Sequence, residues 1–187
     1  DVARRIAGTG SLGVDRYVIL VRGKDSPDGN YLLDLKETLP SSLTPYLKTP
    51  QPAWKTQAER VVEVERRLQA VSAAFLQPIR VAKRDYVLRD LQPTSDRISL
   101  DEGRSGFDAV RGVVTEMGRI LASAQLRSGG RDGSAIADEL IAFGQGAWRT
   151  ALLAVARDCA VQVQKDWKIY SEALDDGAFA AAGSPVS

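Results

Sequence analysis

Residues 6–20 read IAGTGSLGVDRYVIL, and within them Gly8-Thr9-Gly10-Ser11-Leu12-Gly13 completes the pattern G-x-G-x-x-G. Two kinds of phosphate loop share that spacing and differ in the element that comes after the last glycine. In a dinucleotide-binding βαβ unit a helix must start there, because the pyrophosphate rests on the helix N-terminus. Here the next residues are Val14-Asp15-Arg16-Tyr17-Val18-Ile19-Leu20-Val21-Arg22, dense in β-branched and aromatic side chains, and they read as a strand. The other geometry is a flap: the glycines join two antiparallel strands, and bare backbone can come close to phosphate oxygens. An ordinary hairpin whose glycines only supply positive φ fits the motif as well, so the choice depends on residues further along.

Outward from the glycines, DVARRIAG leads in, DRYVILVRG leads out, and a turn-rich KDSPDGN precedes a third strand, YLLDLKE. A proline-rich connector, LPSSLTPYLKTPQP, ends this hairpin system. A helix is predicted from Trp54 to Phe75, with Val61, Val64, Leu68, Val71 and Phe75 repeating at three and four. IRVAKRDYVLRDLQP then reads as two short strands with Lys83 to Asp85 in the turn. The polar, glycine-containing TSDRISLDEGRSG marks a boundary. Beyond it FDAVRGVVTEMGRILASAQLRSGG reads as a helix closed by a glycine pair, and residues 134–174 as one or two helices breaking at Gly144 and Gly146. Ser134 is the expected N-cap, with Asp138 and Glu139 in the first turn, and DDGAFAAAGSPVS reads as a frayed tail.

The expected architecture is therefore α+β. A five-stranded antiparallel sheet with one packed helix occupies residues 1–94, and a helical lobe occupies residues 95–187.

A flap of the protein-kinase kind also needs a lysine on the third strand and a helix carboxylate to orient it. Lys36 ends Leu33-Asp34-Leu35-Lys36 on that strand. Period-two alternation puts Lys36, Asp34 and Leu32 on one face and Tyr31, Leu33 and Leu35 on the other. On the helix, stepping about 100° per residue from Val61, the apolar stripe lies between about 280° and about 340°, Glu65 near about 40° and Glu63 near about 200°. Of the helix carboxylates Glu59, Glu63 and Glu65, Glu65 is the geometric choice for Lys36, Glu63 is the alternative, and all three also fit a charged, arginine-rich helix surface.

Bulk properties narrow the chemistry. The 187 residues are 44% hydrophobic and 26% charged with a net charge of +1, which gives no electrostatic case for a nucleic-acid or anionic-membrane partner. No apolar run approaches the roughly 20 residues of a membrane span, and the N-terminus has no signal-peptide pattern. The chain has no histidine, which removes catalytic triads, His-ligated metals and the commonest general base together. The lone Cys159 excludes an internal disulfide and a multi-cysteine zinc site and points to a reducing cytoplasm. Asp1 rather than methionine opens the chain, inside a strand-like run, which is the expectation for a fragment of a longer protein.

VARRIAGTGSLGVDRYVILVRG, LLDLKE, QAERVVEVERRLQAV, YVLRDLQP and AQLRSGG together resemble the C-terminal part of the bacterial proteins classed as domain of unknown function 2252. That family is similar to the protein kinase-like and aminoglycoside phosphotransferase-like fold. It carries a GD-x-H-x-x-N-F segment and an aspartate-rich segment upstream of the part seen here, as if circularly permuted. The resemblance implies phosphate-loop roles for Gly8, Thr9, Gly10, Ser11 and Gly13, a phosphate-holding role for Lys36, and a hinge from Leu88 to Gln92 that brings Leu91 to a nucleotide. It implies ATP and Mg²⁺ as cofactors, with the metal held by upstream aspartates and no catalytic residue in this chain. The acceptor would be an unidentified small molecule or protein.

Two positions depart from the kinase pattern. Asp15 stands where kinases have valine, and Asp34 where they have a small alanine, so negative charge falls near the proposed phosphate site. Where many family members have a histidine, this chain has Gln125. The rival expectation is a non-catalytic, kinase-shaped binding module.

Overall fold

The computed structural model describes residues 1–6, 11–25, 27–96, 98, 100 and 106–179. Five strands, β1 (Val2–Arg4), β2 (Arg16–Val21), β3 (Tyr31–Glu37), β4 (Gln77–Val81) and β5 (Arg84–Asp90), form one antiparallel sheet in the order β1-β2-β3-β5-β4. The expected α+β class and the single sheet with one packed helix are thus present. Pro78 sits in β4, an edge strand, where its missing N–H breaks no interior ladder.

Helix α1 (Gln57–Leu68) connects β3 to β4. Thr56 caps it, its hydroxyl accepting from the Glu59 N–H at 3.0 Å, while Glu59 reaches back to the Lys55 N–H at 2.9 Å. The helix is shorter than the predicted Trp54–Phe75, and its buried face is turned from the expected one. Ala58 and Val62 are buried against Val87 and Leu76, with Val61 packed alongside. Val71 is 86% exposed, and Phe75 lies in a turn with φ +60°. The reason is geometric. At Gln69 the backbone leaves the helix for an extended conformation, and the turns that follow let Leu76 drop into the core just before β4 pairs with β5. A continuous helix to Phe75 would leave too little chain to make that return.

The β4–β5 turn is tighter than expected as well. Val81 pairs with Arg84, so only Ala82 and Lys83 form the turn, Ala82 at φ +53°, and Asp85 is already in the ladder.

Three further helices complete the chain: α2 (Phe107–Ser128), α3 (Ala137–Gln145) and α4 (Trp148–Asp175). The glycine pair Gly129–Gly130 ends α2, with Gly130 at φ +72°. Arg127 of α2 donates through Nε and Nη2 to the Leu68 carbonyl at 3.1 and 2.9 Å, which satisfies an end carbonyl of α1. Arg67 pairs with Asp132 at 2.6 Å. Helix α3 begins at Ala137, three positions after the expected N-cap; Ser134 instead accepts from the Arg131 N–H and closes the preceding turn. Asp138 and Glu139 are in the first turn of α3, as expected. The break before α4 falls at Gly146 and Ala147. Helix α4 reaches Asp175, and most of the expected tail lies outside the described residues.

The chain divides into two compact units, Asp1–Leu140 and Ile141–Ser187. The first holds the sheet, α1 and α2. The second is built on α4, whose Leu152, Val163, Trp167 and Ile169 are all more than half exposed.

Candidate functional site

The glycine stretch joins two antiparallel strands. Arg4 of β1 pairs with Tyr17 of β2, and one step further the Arg5 N–H donates to the Arg16 carbonyl at 2.8 Å. Gly8, Thr9 and Gly10 lie outside the described residues. Ser11 and Gly13 are in the turn that enters β2. The Ser11 hydroxyl accepts from Arg16 Nη1 at 2.9 Å, and Gly13 has φ +78°, a conformation glycine adopts at little cost. No helix starts at Gly13, and β2 runs antiparallel to β1. Both facts exclude a dinucleotide-binding βαβ unit at this motif.

Register carries the motif to the rest of the site. Arg16 lies opposite Lys36, and Lys36 opposite Val87, so these residues share one sheet face. Val87 is the residue of that face that α1 covers. Between them is a pocket of about 310 Å³ lined by Lys36 and Glu65 together with Val14, Val61, Val87 and Arg89. Lys36 and Glu65, matched from sequence, are therefore brought to one cavity. Glu63 is not. It turns to the helix surface, 3.0 Å from Arg66, with both side chains 40% exposed or more.

Glu65 enters the cavity from the buried face of α1. Its Oε1 lies 4.0 Å from Arg89 Nη1, and its buried Oε2 has no hydrogen-bond partner among the described residues. A buried carboxylate oxygen left in that state is costly, and such atoms concentrate where a ligand or functional partner completes them. Arg89, the cation set against Glu65, is a residue sequence reasoning missed. It stands directly opposite Asp34, but only through the β3–β5 pairing, which joins strands far apart in the chain.

Asp34 is buried, its side chain 3% exposed, and three arginines surround it. Arg16 grips it with a fork, Nε to Oδ1 at 2.6 Å and Nη2 to Oδ2 at 2.7 Å. Arg5 Nη1 is 3.4 Å from Oδ1 and Arg89 Nε 3.7 Å from Oδ2. The hydrogen bond to Asp34 raises the Arg16 pKa above its ordinary value, burial opposes it, and the carboxylate charge adds to the rise. Asp15 is likewise compensated, by Arg4 at 3.4 Å and by Arg84. Neither aspartate presents an unopposed negative charge to the face that carries Lys36.

Leu91, at the end of β5, donates its N–H to the Leu32 carbonyl at 2.8 Å, which ties the segment after β5 to β3. Among the described residues no group of three or more acidic or cysteine side chains could hold a metal ion, and no helix is long and apolar enough to cross a membrane.

Sheet, helix and pocket define an α+β protein in which a lysine and a partly buried carboxylate line one cavity beside a glycine-rich strand connection. Residues 1–173 match the model of a bacterial family described as "Uncharacterized protein conserved in bacteria (DUF2252)", and the chain belongs to that family. Neither curated proteins nor solved structures yield a match to it.

Proposed function

We propose that this chain is the nucleotide-binding portion of a kinase-like phosphotransferase. One observation carries the reading: Lys36 on the third strand and Glu65 on the helix after it line one pocket, beside a glycine motif that links two antiparallel strands. Protein kinases use the same three parts, a glycine flap, a strand lysine and a helix carboxylate. Here the glycine backbone would approach the phosphates, the Lys36 ammonium would hold them, and Glu65 would orient Lys36. When bound, ATP would supply the transferable phosphoryl group and Mg²⁺ would neutralise the charge developing on it.

The fit of the residues to the cofactor is uneven. The Lys36 cation and the glycine motif suit phosphates. A purine is not matched at the segment after β5, where the Leu91 N–H is already bonded and the adjoining sheet face carries Arg5, Arg16, Arg89 and Asp34. The described residues also offer no carboxylate cluster for Mg²⁺. The chain by itself is therefore expected to bind Mg-nucleotide weakly without transferring phosphate. The arginine-caged Asp34, in place of an adenine platform, favours a second reading: a kinase-shaped module that binds its ligand and catalyses nothing.

Thermal shift with Mg-ATP, Mg-ADP and NAD tests both. A rise with ATP and ADP but not NAD, weakened about tenfold or more in affinity by Lys36→Ala, is the expected result. Equal shifts in the Lys36→Ala variant, or a shift with NAD alone, would overturn the assignment. ATP turnover then separates the readings. Turnover by this chain that is abolished by Asp132→Asn would put a catalytic centre where we place only a turn aspartate bonded to Arg67.

A further inference from the structure

Arg89 separates the Lys36 pocket from a second one, of about 440 Å³, whose lining is chiefly polar and includes Asp34, Arg5 and Arg16. We infer that this second pocket binds a phosphorylated polyol, with Arg5 and Arg89 taking the phosphate. The site is distinct from the one proposed to hold nucleotide phosphates, and it stands or falls separately from it.

Charge and geometry carry the inference. Three guanidinium groups converge on one carboxylate. The Arg16 fork takes both Asp34 oxygens at hydrogen-bond distance, so one positive charge answers the one negative charge. Arg5 keeps only a 3.4 Å contact, at the limit of a hydrogen bond. The Arg89 side chain makes no hydrogen bond among the described residues; its contacts are ion pairs of 3.7 Å to Asp34 and 4.0 Å to Glu65. Two partly buried guanidinium groups thus meet one carboxylate, and most of their N–H donors make no hydrogen bond among the described residues. Asp34 and Glu65 offset part of their positive charge, and a bound phosphate would answer the remainder. The planar fork of arginine matches two phosphate oxygens at once, which is why a phosphate suits these donors better than a chloride or a lone carboxylate.

The rim identifies the group to which the phosphate is attached. Asp90 and Asp96 line the pocket and make no ion pair with its arginines among the described residues. Carboxylates beside a phosphate would repel a bare polyanion. They accept hydrogen bonds from hydroxyl groups, and the amides of Gln69 and Gln92 beside them can donate or accept. A ligand with one phosphate and several hydroxyls meets both halves of the lining, whereas pyrophosphate or a lipid phosphate meets only one.

The test is calorimetric titration of the whole chain with ribose 5-phosphate, glucose 6-phosphate, glycerol 3-phosphate, unphosphorylated glucose and inorganic phosphate. At least one phosphorylated polyol should bind about tenfold or more tightly than inorganic phosphate, and glucose should not bind. Arg5→Gln with Arg89→Gln should weaken that binding about tenfold or more, while Lys36→Ala leaves it unchanged. Arg89→Lys keeps the charge and loses the fork. It should also weaken binding, and it decides the matter if the double variant does not fold. The proposal is overturned if no phosphorylated polyol binds, if affinity is unchanged in Arg89→Lys, or if Lys36→Ala abolishes it. Loss of Mg-ATP binding in Lys36→Ala with the polyol phosphate still bound would separate the two sites.

Discussion

At the scale of single residues, Asp34 has the largest effect to predict. Its charge is almost fully removed from water and is held by an arginine that is itself mostly buried. Replacing it with alanine strands Arg16 in that position with no counter-charge. Asp34→Ala should therefore cost about 3 kcal/mol in urea unfolding, far more than loss of an exposed pair such as Glu63 with Arg66. Tyr86 gives a pH signature. It is buried, and burial first, then the nearby Glu37, push its hydroxyl pKa above the ordinary value. The folded protein therefore holds the tyrosine proton more tightly than the unfolded chain. The stability this contributes is fully present below about pH 10 and is lost as pH rises from there through the folded value. Comparing wild type with Tyr86→Phe in urea at about pH 8 and about pH 11 should show the larger alkaline loss in the wild type. Equal losses would show that other groups dominate the alkaline limb.

At the scale of elements, the strands were legible because each announces itself locally. β2 and β3 are rich in β-branched, aromatic and leucine residues, and turn-rich KDSPDGN separates them. Lys36 and Glu65 were legible for the same reason, since a strand end and a helix face can each be read from one segment. Helix length was not. Val71 and Phe75 continue the periodic pattern beyond Leu68, but tertiary packing claims Leu76 for the core and the helix ends early. Nor was Arg89, whose partners Asp34 and Glu65 meet it only through the β3–β5 seam and the packing of α1. The Thr56 hydroxyl is one of the groups that cap the start of α1. Thr56→Ala leaves the Glu59 N–H without its acceptor and should lower stability by about 1 kcal/mol, read as a drop in the urea midpoint with an unchanged slope.

At the scale of the whole molecule, the order β1-β2-β3-β5-β4 has a kinetic consequence. Three of the four strand pairings join neighbours in sequence, and each can zip from its own turn within microseconds. The fourth, from Leu33 with Asp90 to Glu37 with Tyr86, must first close the long connection that contains α1. That closure spends chain entropy before any cross-strand contact repays it, so the two hairpin systems should form early and their docking should set the folding rate. Val87 lies at the seam, opposite Lys36 and against Val62 of α1. In a chevron experiment Val87→Ala should slow folding more than it speeds unfolding, with more than about half of its destabilisation appearing in the folding limb. A loss confined to the unfolding limb would mean that the seam closes after the barrier. The same seam holds Asp34 against Arg89, so the step that limits folding is also the step that first assembles the two pockets.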